Sequence, residues 1–410
     1  MFKKFDNVSK IALINFFSTL YFYLPILTIY YQQRSMSFIQ INSLWGIITA
    51  SIFFSEIPTG LFADKYGRKI SMILALSFQL AGEIFFLFAQ NFLHFIFISI
   101  ISGIGFAFQS GCSQAMIYDS LKEEGREKEM KKVTGLIGTF YQAGHLIGAF
   151  ASSLIIFQLT RTNITLAIVL TIVSVGIALL ITFLLKEPRS EYHHSEKSPF
   201  GILKNSIKFI QINSSLRRIV LLGLITTPFV GYLRNFQPPY FQLSRVPTSW
   251  LGISLGFAGL LAMFVSKNAY KLEKIFGMNA IFIGTVLPAI IYFFMAFIFH
   301  PIFSVLLFSL NYGAMSFQEP FFAEYYNIHI QTENRATSLS AINMLSSIYI
   351  ALMGLVIGLL ADISLSYAFI FMGAIILTGS LVFKLDNKHI NSNVCRSKLN
   401  LRHYITELSA

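Results

Sequence analysis

The sequence predicts an all-helical integral membrane protein, twelve transmembrane helices in two six-helix bundles. Three observations carry that prediction. The first is composition: of 410 residues, 55% are hydrophobic and 12% charged. That is about half the ~25% charge of a globular domain, and the mean hydropathy is +0.64. The second is positive charge that falls in every other gap between apolar segments. The third is a single long polar interruption, 186–216, that divides those segments six and six.

The spans follow in order. A transmembrane helix takes ~20 mostly apolar residues, and hydrocarbon offers no partner to an exposed amide, so each span must be helical. Segments at about 10–32, 41–63, 70–90, 92–117, 133–157 and 164–185 meet this in the first half. Segments at 217–242, 249–266, 277–298, 301–326, 336–360 and 364–384 meet it in the second. The first segment is too long for a signal-peptide core and no small-residue cleavage site follows it, so it reads as a span.

Orientation follows from lysine and arginine. With the N-terminus inside, the inside segments hold Lys3, Lys4, Lys10, Lys65, Arg68 and Lys69. They also hold the bases of 122–132 and 186–218, Lys267, Lys271, Lys274, Arg335 and those from Lys384 onward. Only Arg34, Arg161 and Arg245 fall in loops of the other side, and Arg234 lies within span 7. One missed helix would invert everything after it. Both termini are therefore expected in the cytoplasm, in the inner (plasma) membrane of a bacterium. The net charge of +12 is then a topological label rather than a nucleic-acid signal. The expected partners are the lipid bilayer and a small-molecule substrate, with no nucleic acid.

The expected domains are 1–185 and 217–384, joined by a cytoplasmic linker 186–216 and followed by a tail 385–410. His193 and His194 in the linker lack the Cys or carboxylate company of a metal site, and no metal is expected. Two cysteines, Cys112 and Cys395, exclude a disulfide scaffold. No nucleotide loop or nucleophile constellation suggests an enzyme.

The halves match at one offset of 209 positions. Phe108-Gln109 maps to Phe317-Gln318, and Glu124 and Arg126 map to Glu333 and Arg335. Asp64-Lys65 maps to Glu273-Lys274, and Tyr31 and Gln33 map to Tyr240 and Gln242. An even number of spans per half makes this a parallel repeat, with the site expected between the halves near the midplane.

Between spans 2 and 3 the chain reads Gly60-Leu61-Phe62-Ala63-Asp64-Lys65-Tyr66-Gly67-Arg68-Lys69. Gly60 would let helices approach closely. Asp64 could bind Arg68 or the N-terminus of a facing helix, and Gly67 suits a tight turn. This segment resembles the signature of the major facilitator superfamily, G-x-L-A-D-K/R-x-G-R/K-R/K, with Phe62 where Leu is usual. The six-plus-six layout extends the resemblance over nearly the whole chain. It implies that fold, a monomeric carrier without a cofactor, and a conformational latch made of Gly60, Asp64, Gly67, Arg68 and Lys69. Glu56 and Pro58 upstream look like a variant of bacterial drug-efflux members.

Ionisable residues in the apolar spans are functional candidates by default. They are Glu56, Glu83, Asp119, His145, Arg234, Glu319 and Glu324. The resemblance puts spans 1, 4, 7 and 10 around the cavity, which favours Glu319 and Arg234 for proton coupling or substrate charge. Pro320 after Glu319 would let its helix bend. Consecutive Pro238 and Pro239 are expected to break span 7 near its outer end. Tyr232, Gln237 and Tyr240 there, with Tyr21 and Tyr23 of span 1, would line a mouth. In span 5, Gly135-x8-Gly144-x3-Gly148-Ala149-x2-Ser152-Ser153 resembles the family's antiporter motif with its Pro replaced. The family's basic residue of span 4 is absent, with Ser99 and Ser102 in those places.

The function so expected is secondary active transport by alternating access, driven by the proton gradient: efflux of amphipathic small molecules or drugs by proton antiport. The alternatives are proton-coupled uptake of a nutrient or metabolite, and a non-transporting membrane receptor or sensor.

Overall fold

The computed structural model describes residues 6–188, 214–277, 279–330 and 335–385. Among these there is no strand. The first half comprises α1 (Asn7–Ser18), α2 (Leu27–Gln32), α3 (Phe38–Tyr66), α4 (Arg68–Phe88), α5 (Phe92–Glu123), α6 (Met130–Ile155) and α7 (Arg161–Phe183). The second comprises α8 (Ser214–Thr226), α9 (Phe229–Leu243), α10 (Trp250–Phe276), α11 (Asn279–Phe297), α12 (Pro301–Ser316), α13 (Gln318–His329), α14 (Arg335–Ile363) and α15 (Leu365–Val382). Among the described residues, 9 helices are long and apolar enough to cross a membrane. The nine include the α8–α9 pair, counted as Ser215–Leu243; the other traversals are the broken pairs α1–α2 and α12–α13 and the less apolar α6.

Three differences from the expected spans have a backbone cause. Span 1 is not one helix. It breaks over 19–23, passes through a 3-10 turn at Leu24–Ile26 and resumes as α2. Pro25 cannot donate to the Tyr21 carbonyl; off the helix, Phe22 N–H donates to Thr171 Oγ1 at 3.1 Å, and the Ser18 carbonyl accepts from Gln79 Nε2 at 3.2 Å. In span 7 the break falls at 227–228, between α8 and α9, and not at the proline pair. Pro238 and Pro239 lie inside α9. Pro239 leaves the Asn235 carbonyl without its helical donor, and Thr28 Oγ1 donates to it at 2.6 Å, which removes the reason to break there. Span 10 does break, at Phe317, three residues before Pro320.

The described residues form two compact units. The first comprises those within Met1–Ser195, Asn235–Phe257 and Gly354–Asp362, and the second those within Glu196–Arg234, Ala258–Met353 and Ile363–Ala410. Two short pieces of the second half, drawn from α9, α10 and α14, therefore belong to the first unit.

Within the first unit, Asn7 and Lys186 exchange two hydrogen bonds, 2.8 Å and 3.0 Å. The start of α1 and the end of α7 thus mark one face, called the near face below. An apolar core running from Val8 through Met72, Met116 and Leu121 to Leu185 fills the helices above it. At the opposite, far face, pieces of α9, α10 and α14 pack onto the first six spans. Ile253 N–H donates to Ser153 Oγ at 2.8 Å, and Phe38 meets Phe236 edge-on at 5.5 Å. Small residues permit this packing and that of span 5 on span 1. A Cβ on Gly252 would collide with the Ala149 carbonyl, and one on Gly148 would lie 2.8 Å from the Tyr21 carbonyl. These positions serve close helix packing.

The second unit has its own apolar core, with Ile219, Leu222, Ile281, Phe317, Phe321 and Tyr325 among its members.

Candidate functional site

The signature segment folds as a turn clasped from outside. α3 ends at Tyr66, Gly67 follows at φ 97 and ψ 157, and α4 begins at Arg68. That backbone region is open essentially to glycine alone. The carboxylate of Glu187, just past α7, accepts from the Arg68 amide at 2.8 Å and the Lys69 amide at 2.7 Å. It thereby satisfies two of the donors that a helix start leaves unpaired. The Arg68 guanidinium pairs with Asp119 near the end of α5, whose residue exposure is 8%.

This corrects two expectations. Arg68 takes Asp119 rather than Asp64 as its carboxylate, because α5 runs past α4 and places Asp119 beside it. Asp64 itself is exposed and has no hydrogen bond or ion pair among the described residues. Gly60 serves no close approach either: nothing lies within 4 Å of a Cβ built on it. Glu273, the counterpart of Asp64 in the repeat, and Arg335 have side chains outside the described set, as does the whole of Glu333.

On the same face Arg126 bonds Glu124 at 2.6 Å and Glu129 at 2.9 Å, with Asp6 at 3.6 Å. Asp6 caps α1 through the Ser9 amide at 2.8 Å. The neighbouring Arg126 holds the Glu129 carboxyl below the usual carboxylate range.

The second cluster is buried towards the far end of α4. Glu83 is 8% exposed and accepts from the Tyr23 hydroxyl at 2.7 Å. Tyr21 interacts with it as well and accepts from Gln79 Nε2 at 2.8 Å. Tyr23 stacks on Phe86 at 4.8 Å, and Tyr30 stacks on the same ring at 4.9 Å. The break after α1 makes this possible. It releases Tyr21 and Tyr23 from helical spacing and turns them towards α4. No lysine, arginine or histidine pairs with Glu83 among the described residues. The site is therefore a carboxylate in an aromatic and amide setting without a counter-charge.

The remaining candidates lie elsewhere. Glu56 and Glu319 are exposed and Arg234 is half-buried, and none of the three has a carboxylate or basic partner among the described residues. His145 meets the Tyr141 ring edge-on at 4.9 Å. Tyr232 donates to the Ile350 carbonyl. Gln237 donates to the Leu251 carbonyl and Ser254 Oγ, both at 2.8 Å, and Tyr240 is fully buried. Tyr232, Gln237 and Tyr240 thus pack within their units rather than facing open space. Among the described residues no group of His, Cys, Asp and Glu is arranged to hold a metal ion.

Two carboxylates that take the amides of helix starts escaped sequence reasoning: Glu187 at α4, and Asp362, which accepts from the Phe38 and Ile39 amides of α3. Glu187 stood among linker charges. Asp362 was one acid at the end of span 11, on the side that holds few charges. That scarcity was the available signal.

The profile of the Major Facilitator Superfamily matches residues 11–354. The chain belongs to the Major Facilitator Superfamily. This is a transporter family, not an enzyme family, and the chain is a multi-pass integral membrane protein. A similar relative is the "Uncharacterized MFS-type transporter YxaM" of Bacillus subtilis (strain 168). It is 24% identical over 253 residues, 61% of this chain and 62% of the relative. The matched stretch thus spans less than two thirds of that relative's length. A Buchnera aphidicola "Uncharacterized transporter" is 28% identical over 54% of each chain. Among solved structures, the nucleoside transporter NupG superposes with a TM-score of 0.74 at 13% identity. That match covers 92% of this chain and 98% of the other. A bacterial homolog of human Spinster in an inward-facing conformation gives 0.69 at 14%, over 93% and 98%. These likenesses support the major facilitator fold.

Proposed function

We propose that this member of the superfamily is a secondary active transporter that works by alternating access and exchanges protons for amphipathic, cationic small molecules, exporting them. The halves 1–185 and 217–384 rock against each other, the linker 186–216 joins them, and both termini lie in the cytoplasm, where most of the bases fall.

The observation that carries this reading is Glu83. An ionised carboxylate enclosed by apolar and aromatic groups is costly without a counter-charge. A proton supplies that neutralisation, and so does a cationic ligand, which the faces of Tyr21, Tyr23 and Phe86 also favour. One carboxylate that accepts either of two cations, and not both, couples their movement in opposite directions. Asp64 has no hydrogen bond or ion pair among the described residues and is available to the latch that the signature implies.

Transport into proteoliposomes under an imposed pH gradient tests this, with a panel of cationic drugs, nucleosides and small peptides. Gradient-driven drug movement is expected. Glu83→Gln is expected to lower it more than tenfold and to leave downhill exchange intact, while Glu319→Gln leaves it within twofold. Unchanged driven transport in Glu83→Gln removes Glu83 from the coupling step. Gradient-driven movement of nucleosides or peptides together with protons would replace efflux with uptake.

A further inference from the structure

At the far face of the first unit, the end of α14 meets the start of α3. A helix start leaves its first amides without intrahelical acceptors. At α3 part of that need is met locally by a capping box. Ser37 N–H donates to Gln40 Oε1 at 3.1 Å, and Gln40 N–H donates to Ser37 Oγ at 3.4 Å. The amides of Phe38 and Ile39 remain. Both donate to Asp362, at 2.5 Å to Oδ1 and 3.1 Å to Oδ2. One carboxylate thus completes the start of α3 from 324 residues away in sequence.

The approach depends on Gly358, one turn before Asp362. A Cβ there would lie 2.6 Å from Ile39 Cα and 3.0 Å from the Phe38 carbonyl oxygen. Any larger residue would push the two helices apart. Asp362 is exposed. Water can therefore take over both the carboxylate and the two amides when they separate, which makes the contact reversible. The attraction of a carboxylate to a helix N-terminus favours the joined state only modestly.

We propose that Asp362 is a latch for the far mouth. Its hold on the Phe38 and Ile39 amides closes that mouth, and its release is a step in opening it. The inference rests on the alternating-access reading, but not on the coupling ion, the substrate or the direction of transport.

The test uses the full chain in lipid nanodiscs, without substrate and at one pH. The two native cysteines are replaced by serine, and spin labels are placed at Gln90 and Gln242, exposed positions at the far face. Pulsed electron resonance then reads the distance distribution between them. Asp362→Ala is expected to raise the ratio of long to short distances about fivefold, the scale of one helix-end carboxylate contact. Asp362→Asn, which keeps an acceptor but loses the charge, is expected to raise it less. Glu187→Ala, which removes the near-face carboxylate, is expected to leave it unchanged. A wild-type distribution in Asp362→Ala overturns the proposal, as does a shift of equal size in Glu187→Ala. Should Asp362→Ala not fold, a wild-type distribution in Asp362→Asn overturns it in the same way. No proton gradient enters this measurement, so a failure of Glu83 in the transport assay leaves the result standing.

Discussion

The first unit holds the same interaction twice, once at each face. At the near face the Glu187 carboxylate takes the first two amides of α4. At the far face the Asp362 carboxylate takes the first two amides of α3. The chemistry and the distances are alike, but the elements tied together differ. Glu187 follows α7 and braces a helix of its own six-span half, whereas Asp362 ends α14 and holds a helix of the other half. In the alternating-access cycle proposed above, a contact inside one half persists while the halves rock, and a contact that joins the halves is made and broken. The partner of the helix start, not the strength of the bond, separates a brace from a latch.

Gly67→Ala is the sharpest way to break the near-face brace. Its φ of 97 admits little but glycine, and a Cβ would lie 3.0 Å from the Glu187 carboxyl carbon. A loss of about 3 kcal/mol is expected. It would be read as a clear fall in thermal midpoint by fluorescence-detected size exclusion in detergent. An unchanged midpoint would mean that α4 starts elsewhere in the turn.

Glu187→Ala leaves the glycine turn intact and removes only the carboxylate. The expected cost is about 1 kcal/mol, visible as a smaller fall in the same midpoint. If this variant were as damaging as Gly67→Ala, the brace would be doing more than capping a helix.

The smallest effect belongs to Glu129. Arg126 holds its carboxyl below the usual carboxylate range, so its ion pair adds stability that is fully present above that range. That stability is lost as pH falls through the lowered folded value. Glu129→Gln should therefore narrow slightly the difference in thermal midpoint between neutral pH and pH about 4. A wider difference would reverse the sign assigned to the pair.

Much of the architecture was legible in the residues. Apolar runs of span length, interrupted by basic loops, dictate helices wherever lipid denies water to the backbone. The family followed from Gly60 through Lys69. Where the reading failed, the cause was a distant partner. The proline pair of α9 was expected to break its helix; Pro239 does leave the Asn235 carbonyl without a helical donor, and Thr28 of α2 supplies one. Asp64 looked like the partner of Arg68 because it is close in sequence, and Asp119 takes that place from 51 positions away. Glu83 stood in the sequence as a lone acid in an apolar run. Tyr21 and Tyr23 stood as aromatics of a mouth. The break after α1 brings the three together, and a break through Pro25 could be foreseen where its direction could not.

The sequence by itself determined the helical class, the order of the apolar segments and the family. Each of these depends on hydropathy, backbone hydrogen bonding or a contiguous motif, all of which act over a few residues. Only the tertiary structure decided which carboxylate reaches which amide. Glu187 and Arg68 lie 119 positions apart and Asp362 and Phe38 lie 324 apart. No local rule links such pairs. A helix start accepts any anion that packing delivers, and in this chain the packing of α7 and α14 delivers Glu187 and Asp362.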